Sequence, residues 1–261
     1  MQTRLLLIIP TMGRPDGARE AAMSALDNAT LESTFVMLAV DGPHSDEQMA
    51  AYEAISHPRL GLMHDGRHRG MVATLNDCAN KFTVGELLVD HHCTWPECPY
   101  VTHVGFMGDD HRVRTCGWDE ALTDAAGPVG IAYGDDLLRG IELPTSVVMS
   151  ADIVRTLGQM VPPTLRHLFV DDYWKALGIG IGHLRYVDDV VIEHMHPSAG
   201  KAEMDDSYAV TNHPDRYESD GAAWKAYRDD GPLHDDLDKL SVLVHEWTER
   251  IANDRAGRAN R

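Results

Sequence analysis

Leu5 to Ile9 is an unbroken apolar run closed by Pro10, the pattern of a strand buried on both faces of a parallel sheet. Phe35 to Val40 repeats the pattern and ends at Asp41, Gly42 and Pro43. Between them, residues Asp16 to Asn28 set Ala18, Ala21, Ala22, Ala25 and Leu26 on one face of a predicted helix. Ser45 to Ile55 reads as a second helix, with Ser45 as N-cap and Gln48 completing a capping box. Leu60 to Met63 is a short strand, Asp65 to Gly70 a polar loop, and Met71 to Phe82 a helix. Val101 to Met107 is a further strand that runs into Gly108, Asp109, Asp110 and His111. This alternation over the first 110 residues predicts βαβ units around a parallel sheet.

Beyond it, the pattern predicts helices over Trp118 to Ala125, Ser150 to Leu157 and Asp171 to Leu177. Strands are predicted over Val129 to Tyr133, Thr145 to Met149 and Leu184 to Glu193. From His234 to about Asn253, Leu237, Leu240, Val244, Trp247 and Ile251 recur at helical spacing, an amphipathic tail helix. That stripe fits either packing on the rest of the chain or pairing with a second copy as a homodimer. Arg255 to Arg261 should fray.

Charge narrows the choice of partner. The 261 residues carry 23 basic against 41 acidic side chains, a formal charge of −18. Such a body disfavours tight, non-specific binding of nucleic acid, whose affinity comes from Lys and Arg neutralising phosphates. It can still hold an anionic small molecule if a metal ion brings the positive charge. Four cysteines, Cys78, Cys93, Cys98 and Cys116, are too few for a disulfide scaffold. The apolar run near the N-terminus is too short for a signal peptide, and no stretch approaches a membrane span. A cytoplasmic protein with no membrane partner is the expectation.

The strongest chemical signal is Asp109 and Asp110 at the end of a buried strand, because ligands of parallel α/β sheets bind outside the strands' carboxyl ends. Adjacent carboxylates repel each other unless they share a cation. Hard oxygen ligands suit Mg²⁺ or Mn²⁺, and an imidazole tilts the choice toward Mn²⁺. The alternative is that the pair caps the following turn. Asp41 and the loop Pro10 to Arg14 fall at the same sheet edge. His194 and His196 point the same way in an extended segment, with Lys201 nearby as a phosphate partner. Asp171 and Asp172 offer a carboxylate as general base, or simply a first-turn acid favoured by the helix dipole. Gly178, Gly180 and Gly182 imitate a dinucleotide loop but follow a helix and precede a strand, the reverse of the required order. His91, His92, Cys93, Cys98 and His103 match no standard zinc spacing.

In this order the pieces resemble a GT-A glycosyltransferase of the family 2-like kind found in bacteria and their phages. The resemblance covers roughly residues 1 to 212 and rests on Ile9 to Pro15, Asp41-Gly42, the loop and helix Gly66 to Asn76, Asp109-Asp110 with Gly117-Trp118, Asp171-Asp172 and His194 with His196. It implies a Rossmann-like, mixed but mainly parallel sheet flanked by helices. Residues 1–212 would be the catalytic domain, with 1–111 binding the nucleotide sugar, 112–212 completing the acceptor and metal side, and 213–261 an added helical extension. It further implies that Pro10, Thr11, Arg14 and Asp41 hold the nucleoside of a UDP- or GDP-sugar, with Arg69, Gly70 and Asn76 along the ribose and diphosphate. Asp109 would contact ribose or metal, and Asp110 would bind Mn²⁺ or Mg²⁺. His196, or less directly His194, would complete the metal shell, Lys201 would neutralise phosphate, and Asp171 or Asp172 would deprotonate the acceptor hydroxyl. His111 stands where the motif usually has a carboxylate. Family-level analogy suggests a modified DNA base or a virion protein as acceptor, in the host cytoplasm if the chain is phage-encoded. Two other readings are a sugar-nucleotide nucleotidyltransferase, for whose phosphate loop the segment Pro10 to Pro15 supplies only Arg14, and a non-catalytic nucleotide- or metal-binding module.

Overall fold

The computed structural model describes residues 2–83, 101–201, 208 and 213–259. Its first half alternates β1 (Leu5–Thr11), α1 (Pro15–Asp27), β2 (Thr34–Val40), α2 (Asp46–Glu53), β3 (Leu60–His64), α3 (Met71–Thr83) and β4 (His103–Phe106). Then come β5 (His111–Val113), α4 (Trp118–Ala126), β6 (Ile131–Asp135), β7 (Val147–Ser150), α5 (Ala151–Leu157), α6 (Val170–Gly180) and β8 (Leu184–His194). Two helices, α7 (Pro214–Asp229) and α8 (Pro232–Ala259), close the chain. The eight strands form one mixed sheet in the order β3-β2-β1-β4-β7-β6-β8-β5. Pairing is parallel from β3 to β4, antiparallel on both sides of β7, parallel between β6 and β8, and antiparallel at β5.

The unbroken apolar runs follow from burial on both faces. Leu5, Leu7 and Ile9 with Val36, Leu38 and Val40 pack against α1, Tyr52 of α2, and Trp118 and Leu122 of α4. Their neighbours Leu6, Ile8, Met37 and Ala39 face the opposite layer, built on Val72 and Leu75 of α3, Ile153 of α5 and Trp174 of α6. Trp224 and Tyr227 of α7 and Leu233 and Leu240 of α8 belong to that second cluster, so the C-terminal helices share the core of the sheet. On the apolar stripe of α8, Leu240 is fully buried and Leu237 lies against Gly180 of α6, whereas Val244, Trp247 and Ile251 are half-buried.

Three local differences from the sequence pattern have physical causes. Pro10 lies inside β1, in register with Ala39. It follows the parity of Ile8, whose carbonyl serves the β4 side. Pairing with β4 stops at Ile8, so the absent N–H of Pro10 costs no ladder bond. Strand β5 is three residues long and begins on His111 and Arg112, too short and polar for a periodic signal. Helix α7 is polar almost all round and buries only Asp220, Trp224 and Tyr227, so no apolar stripe announces it. The glycines of α6 are packing glycines: a Cβ on Gly178 would come within 2.7 Å of Leu184. His103 is buried in β4, its Nε2 3.0 Å from the Gly127 carbonyl; His91, His92, Cys93 and Cys98 lie outside the described residues. Among the described residues, no helix is long and apolar enough to cross a membrane.

Candidate active site

The carboxyl ends of β1 and β2, the turn after β4, and the far end of β8 open into one cavity of about 680 Å³, within the range of small-molecule sites. Thr11, the last residue of β1, donates its hydroxyl to Asp109 Oδ2 at 2.8 Å. Arg14 Nη1 reaches Asp109 Oδ1 at 3.3 Å, and the Arg14 backbone N–H donates to the Tyr52 hydroxyl. Burial and the neighbouring charge of Asp110 push the Asp109 carboxyl up to about 6, against the pull of Arg14 and Thr11.

Asp110 sits between two imidazoles. His111 Nδ1 lies 3.0 Å from Oδ1 and His194 Nε2 3.2 Å from Oδ2. The antiparallel register of β5 and β8 sets His111 opposite His194, and their rings stack with centroids 4.1 Å apart. A Cβ on Gly108 would stand 2.6 Å from Asp110 Oδ1 and 2.9 Å from His111 Nδ1, so a larger residue there would displace this pair. Burial alone would raise the Asp110 carboxyl, but the hydrogen bonds from His111 and His194 hold it well below the usual carboxylate range. The Tyr208 hydroxyl also donates to Asp110 Oδ2 at 2.7 Å, while the Arg14 guanidinium lies 4.3 Å over the Tyr208 ring.

This trio fits a divalent cation. Asp110, His111 and His194 each offer one ligand atom, all within 4.8 Å of one another. On the ring sides away from Asp110, His111 Nε2 is buried with no hydrogen-bond partner among the described residues, which is costly for an imidazole left to itself, and His194 Nδ1 stands 3.9 Å from Asp136 Oδ2. One carboxylate with two imidazoles is a donor set for a first-row ion such as Mn²⁺. His196, the expected main ligand, lies beside the trio, with its ring 5.0 Å from that of His194. His111 is the member that sequence reasoning missed.

Of the other expected contacts, Pro10, Thr11, Arg14, Asp41, Gly70, Asp109, Asp171 and His196 line the cavity. Arg69, Asn76, Asp172 and Lys201 are not among its lining residues, and three of these four are engaged elsewhere. Arg69 pairs with Asp65 and, at 3.5 Å, with Asp77. Lys201 pairs with Glu193 at 2.8 Å. Asn76 accepts the N–H groups of Met160 and Val161 at 2.8 and 3.0 Å and donates to the Val161 carbonyl at 2.8 Å. Asn76→Ala is therefore expected to lower the stability by about 1–3 kcal/mol, the cost of stranding those groups. Chemical denaturation should register that loss while nucleotide affinity stays within twofold. Asp41 faces the cavity, but its carboxylate already accepts the N–H groups of Arg69 and Gly70 at 2.7 and 2.9 Å. It also meets His68 Nδ1 at 2.9 Å, so it fixes the start of α3.

Asp171 stands in the first turn of α6, entered through Phe169, whose φ of +65° is left-handed. Such strain persists only where the surroundings impose it. Burial and the charge of Asp172 push the Asp171 carboxyl up to about 6. His167, in the segment before α6, also lines the cavity; burial and the nearby Arg216 bring it down to about 4, so it is neutral at pH 7.

No protein-family model matches the chain, and no curated protein sequence matches it. Solved structures do. A mannosyltransferase, PcManGT of Pyrobaculum calidifontis in complex with GDP-Man and Mn²⁺, is similar over 95% of this chain and 84% of its own, with TM-score 0.56 and 15% identity. TarS of S. aureus, residues 1–349 in complex with UDP-GlcNAc, is similar over 80% of this chain and 64% of its own, with TM-score 0.53 and 11% identity. The mixed eight-stranded sheet flanked by helices is thus the GT-A-like fold of glycosyltransferases.

Proposed function

We propose that the protein transfers a sugar from a nucleotide-diphosphate sugar of the UDP or GDP type to an acceptor hydroxyl, with Mn²⁺ or Mg²⁺ held by Asp110, His111 and His194. The observation that carries this reading is the convergence of that trio with Asp109 and Asp171 on one cavity at the carboxyl edge of the sheet. Asp171 accepts the proton of the acceptor hydroxyl as its oxygen bonds to the anomeric carbon, and the nucleoside diphosphate leaves. That displacement inverts the anomeric centre. When bound, the cation supplies Lewis acidity to the departing diphosphate. Thr11 and Arg14 hold Asp109 in place, and the bonds from Arg69 and Gly70 to Asp41 fix the loop that borders the nucleotide. The neighbours' complexes with GDP-Man, Mn²⁺ and UDP-GlcNAc support the donor class and the ion.

Thermal unfolding with UDP-GlcNAc and with GDP-mannose tests the reading. One of them is expected to raise the melting temperature in Mn²⁺ by mass action, with the shift lost in EDTA. Equal stabilisation in EDTA would remove the metal from the proposal. A melting temperature indifferent to both compounds counts against the donor class itself.

A further inference from the structure

Three arginines line the same cavity with no side-chain partner among the described residues. Arg139, Arg166 and Arg216 come from the loop after β6, the segment before α6, and the first turn of α7. Among the described residues, none of their guanidinium groups makes a hydrogen bond or an ion pair. The neighbouring cations behave otherwise: Arg14 is on Asp109, Arg112 on Glu20, Arg114 and Lys201 on Glu193, Arg69 on Asp65. In a chain of net charge −18 carboxylates are plentiful, yet these three cavity-lining guanidinium groups, unlike Arg14 beside them, have no carboxylate partner among the described residues.

Their backbones are fixed in place. Asp136, 2% exposed, accepts the N–H groups of Leu138, Arg139 and Gly140 at 2.9, 2.6 and 2.9 Å and the Thr145 hydroxyl at 2.8 Å. This clamp sets the loop that carries Arg139. Asp220, 1% exposed, sits one turn after Arg216 on α7 and accepts the N–H groups of His167 and Leu168, both at 2.9 Å. It thereby ties the segment carrying Arg166 to the helix carrying Arg216. A buried carboxylate bonded to backbone amides is a rigid anchor, and such preorganisation reduces the cost of binding. Arg139 also acts electrostatically on Asp171, which places it near the proposed proton acceptor, while Asp136 at the base of its loop stands 3.9 Å from His194 of the trio.

We infer that these arginines bind the acceptor, and that the acceptor carries a phosphate ester close to the hydroxyl that receives the sugar. Guanidinium groups suit phosphate because their fork of donors matches its oxygens. With the phosphate on the arginines, the hydroxyl is directed at Asp171. The inference rests on the transferase reading above.

Calorimetry on the full chain, first saturated with Mn²⁺ and the nucleoside diphosphate of the donor, separates the two. Saturation occupies the diphosphate position, so a second phosphate has only the arginines to bind. Glucose 6-phosphate is expected to bind at least tenfold more tightly than glucose and than inorganic phosphate, a difference of about 1.4 kcal/mol. That affinity should weaken with salt and fall about tenfold for each of Arg139→Gln, Arg166→Gln and Arg216→Gln, with nucleoside diphosphate affinity unchanged. If glucose 6-phosphate binds only without the nucleotide, or if the variants weaken the nucleotide equally, the arginines serve the donor and the inference is overturned. Orthophosphate binding as tightly as glucose 6-phosphate overturns it too. A wild-type chain that takes up neither UDP nor GDP with Mn²⁺ overturns the transferase reading and this one together.

Discussion

Asp110→Asn is expected to remove the Mn²⁺-dependent part of nucleotide-sugar binding and to lower turnover by about 10³-fold. The substitution keeps the volume between His111 and His194 but deletes the only anionic member of the trio. A divalent ion contributes several kcal/mol to the stabilisation of a leaving diphosphate. At about 1.36 kcal/mol per decade, ~4 kcal/mol accounts for the loss. Calorimetry with and without Mn²⁺ measures the binding term, and steady-state release of nucleoside diphosphate measures the rate. The comparison variant is His196→Ala. Its ring borders the cavity but lies outside the trio, so its effect should stay under tenfold. If His196→Ala matches Asp110→Asn while His111→Ala is silent, the assignment of the ligands is wrong.

The first half of the fold was legible because local pattern and tertiary burial agree there. A parallel strand covered on both faces must be apolar throughout, and Leu5 to Ile9 and Phe35 to Val40 are. The capping box of Ser45 and Gln48 is local, and it forms as read. Strand β5 was not legible, since its reason to exist is the partner β8 some eighty residues away. The same pairing decides the proposed metal ligands. Adjacent to Asp110 in sequence, His111 looks like a departure from a carboxylate motif. Opposite His194 in the ladder, it becomes the third donor.

The phosphate contacts show the converse limit. Arg69, Asn76 and Lys201 occupy plausible positions in order along the chain, yet each has a nearer use in Asp65, the backbone of residues 160–161, or Glu193. For Arg69 the competitor was visible, as an acid four residues earlier. For Asn76 and Lys201 it appears only once the chain folds. Arg139, Arg166 and Arg216 carried no local signal at all, because what distinguishes them is the lack of a partner among the described residues in three dimensions.

Asp171→Asn should lower turnover by 10²–10⁴-fold, the usual contribution of a general base, and leave donor affinity unchanged. Asp172→Asn is the milder change, because Asp171 lines the cavity and Asp172 does not. The pH profile carries the stronger test. Burial and the charge of Asp172 put the Asp171 carboxyl at about 6, and only its ionised form takes a proton. Turnover of the wild type should therefore rise about tenfold per pH unit up to pH 6 and then level off, whereas the residual rate of Asp171→Asn should lack that step. Stability should move the other way. A carboxyl whose folded pKa lies above its unfolded value near 3.9 binds its proton more tightly when folded. Stability thus falls as pH rises through the window from about 4 to 6, and the full penalty stands at neutral pH. Asp171→Asn removes that penalty, so the variant should melt higher than the wild type at pH 7.5, with the gap closing below pH 4. A residue kept only to start a helix would show the reverse, because the loss of its first-turn charge would cost stability. Lost turnover together with gained stability is what separates a group retained for chemistry from one retained for folding.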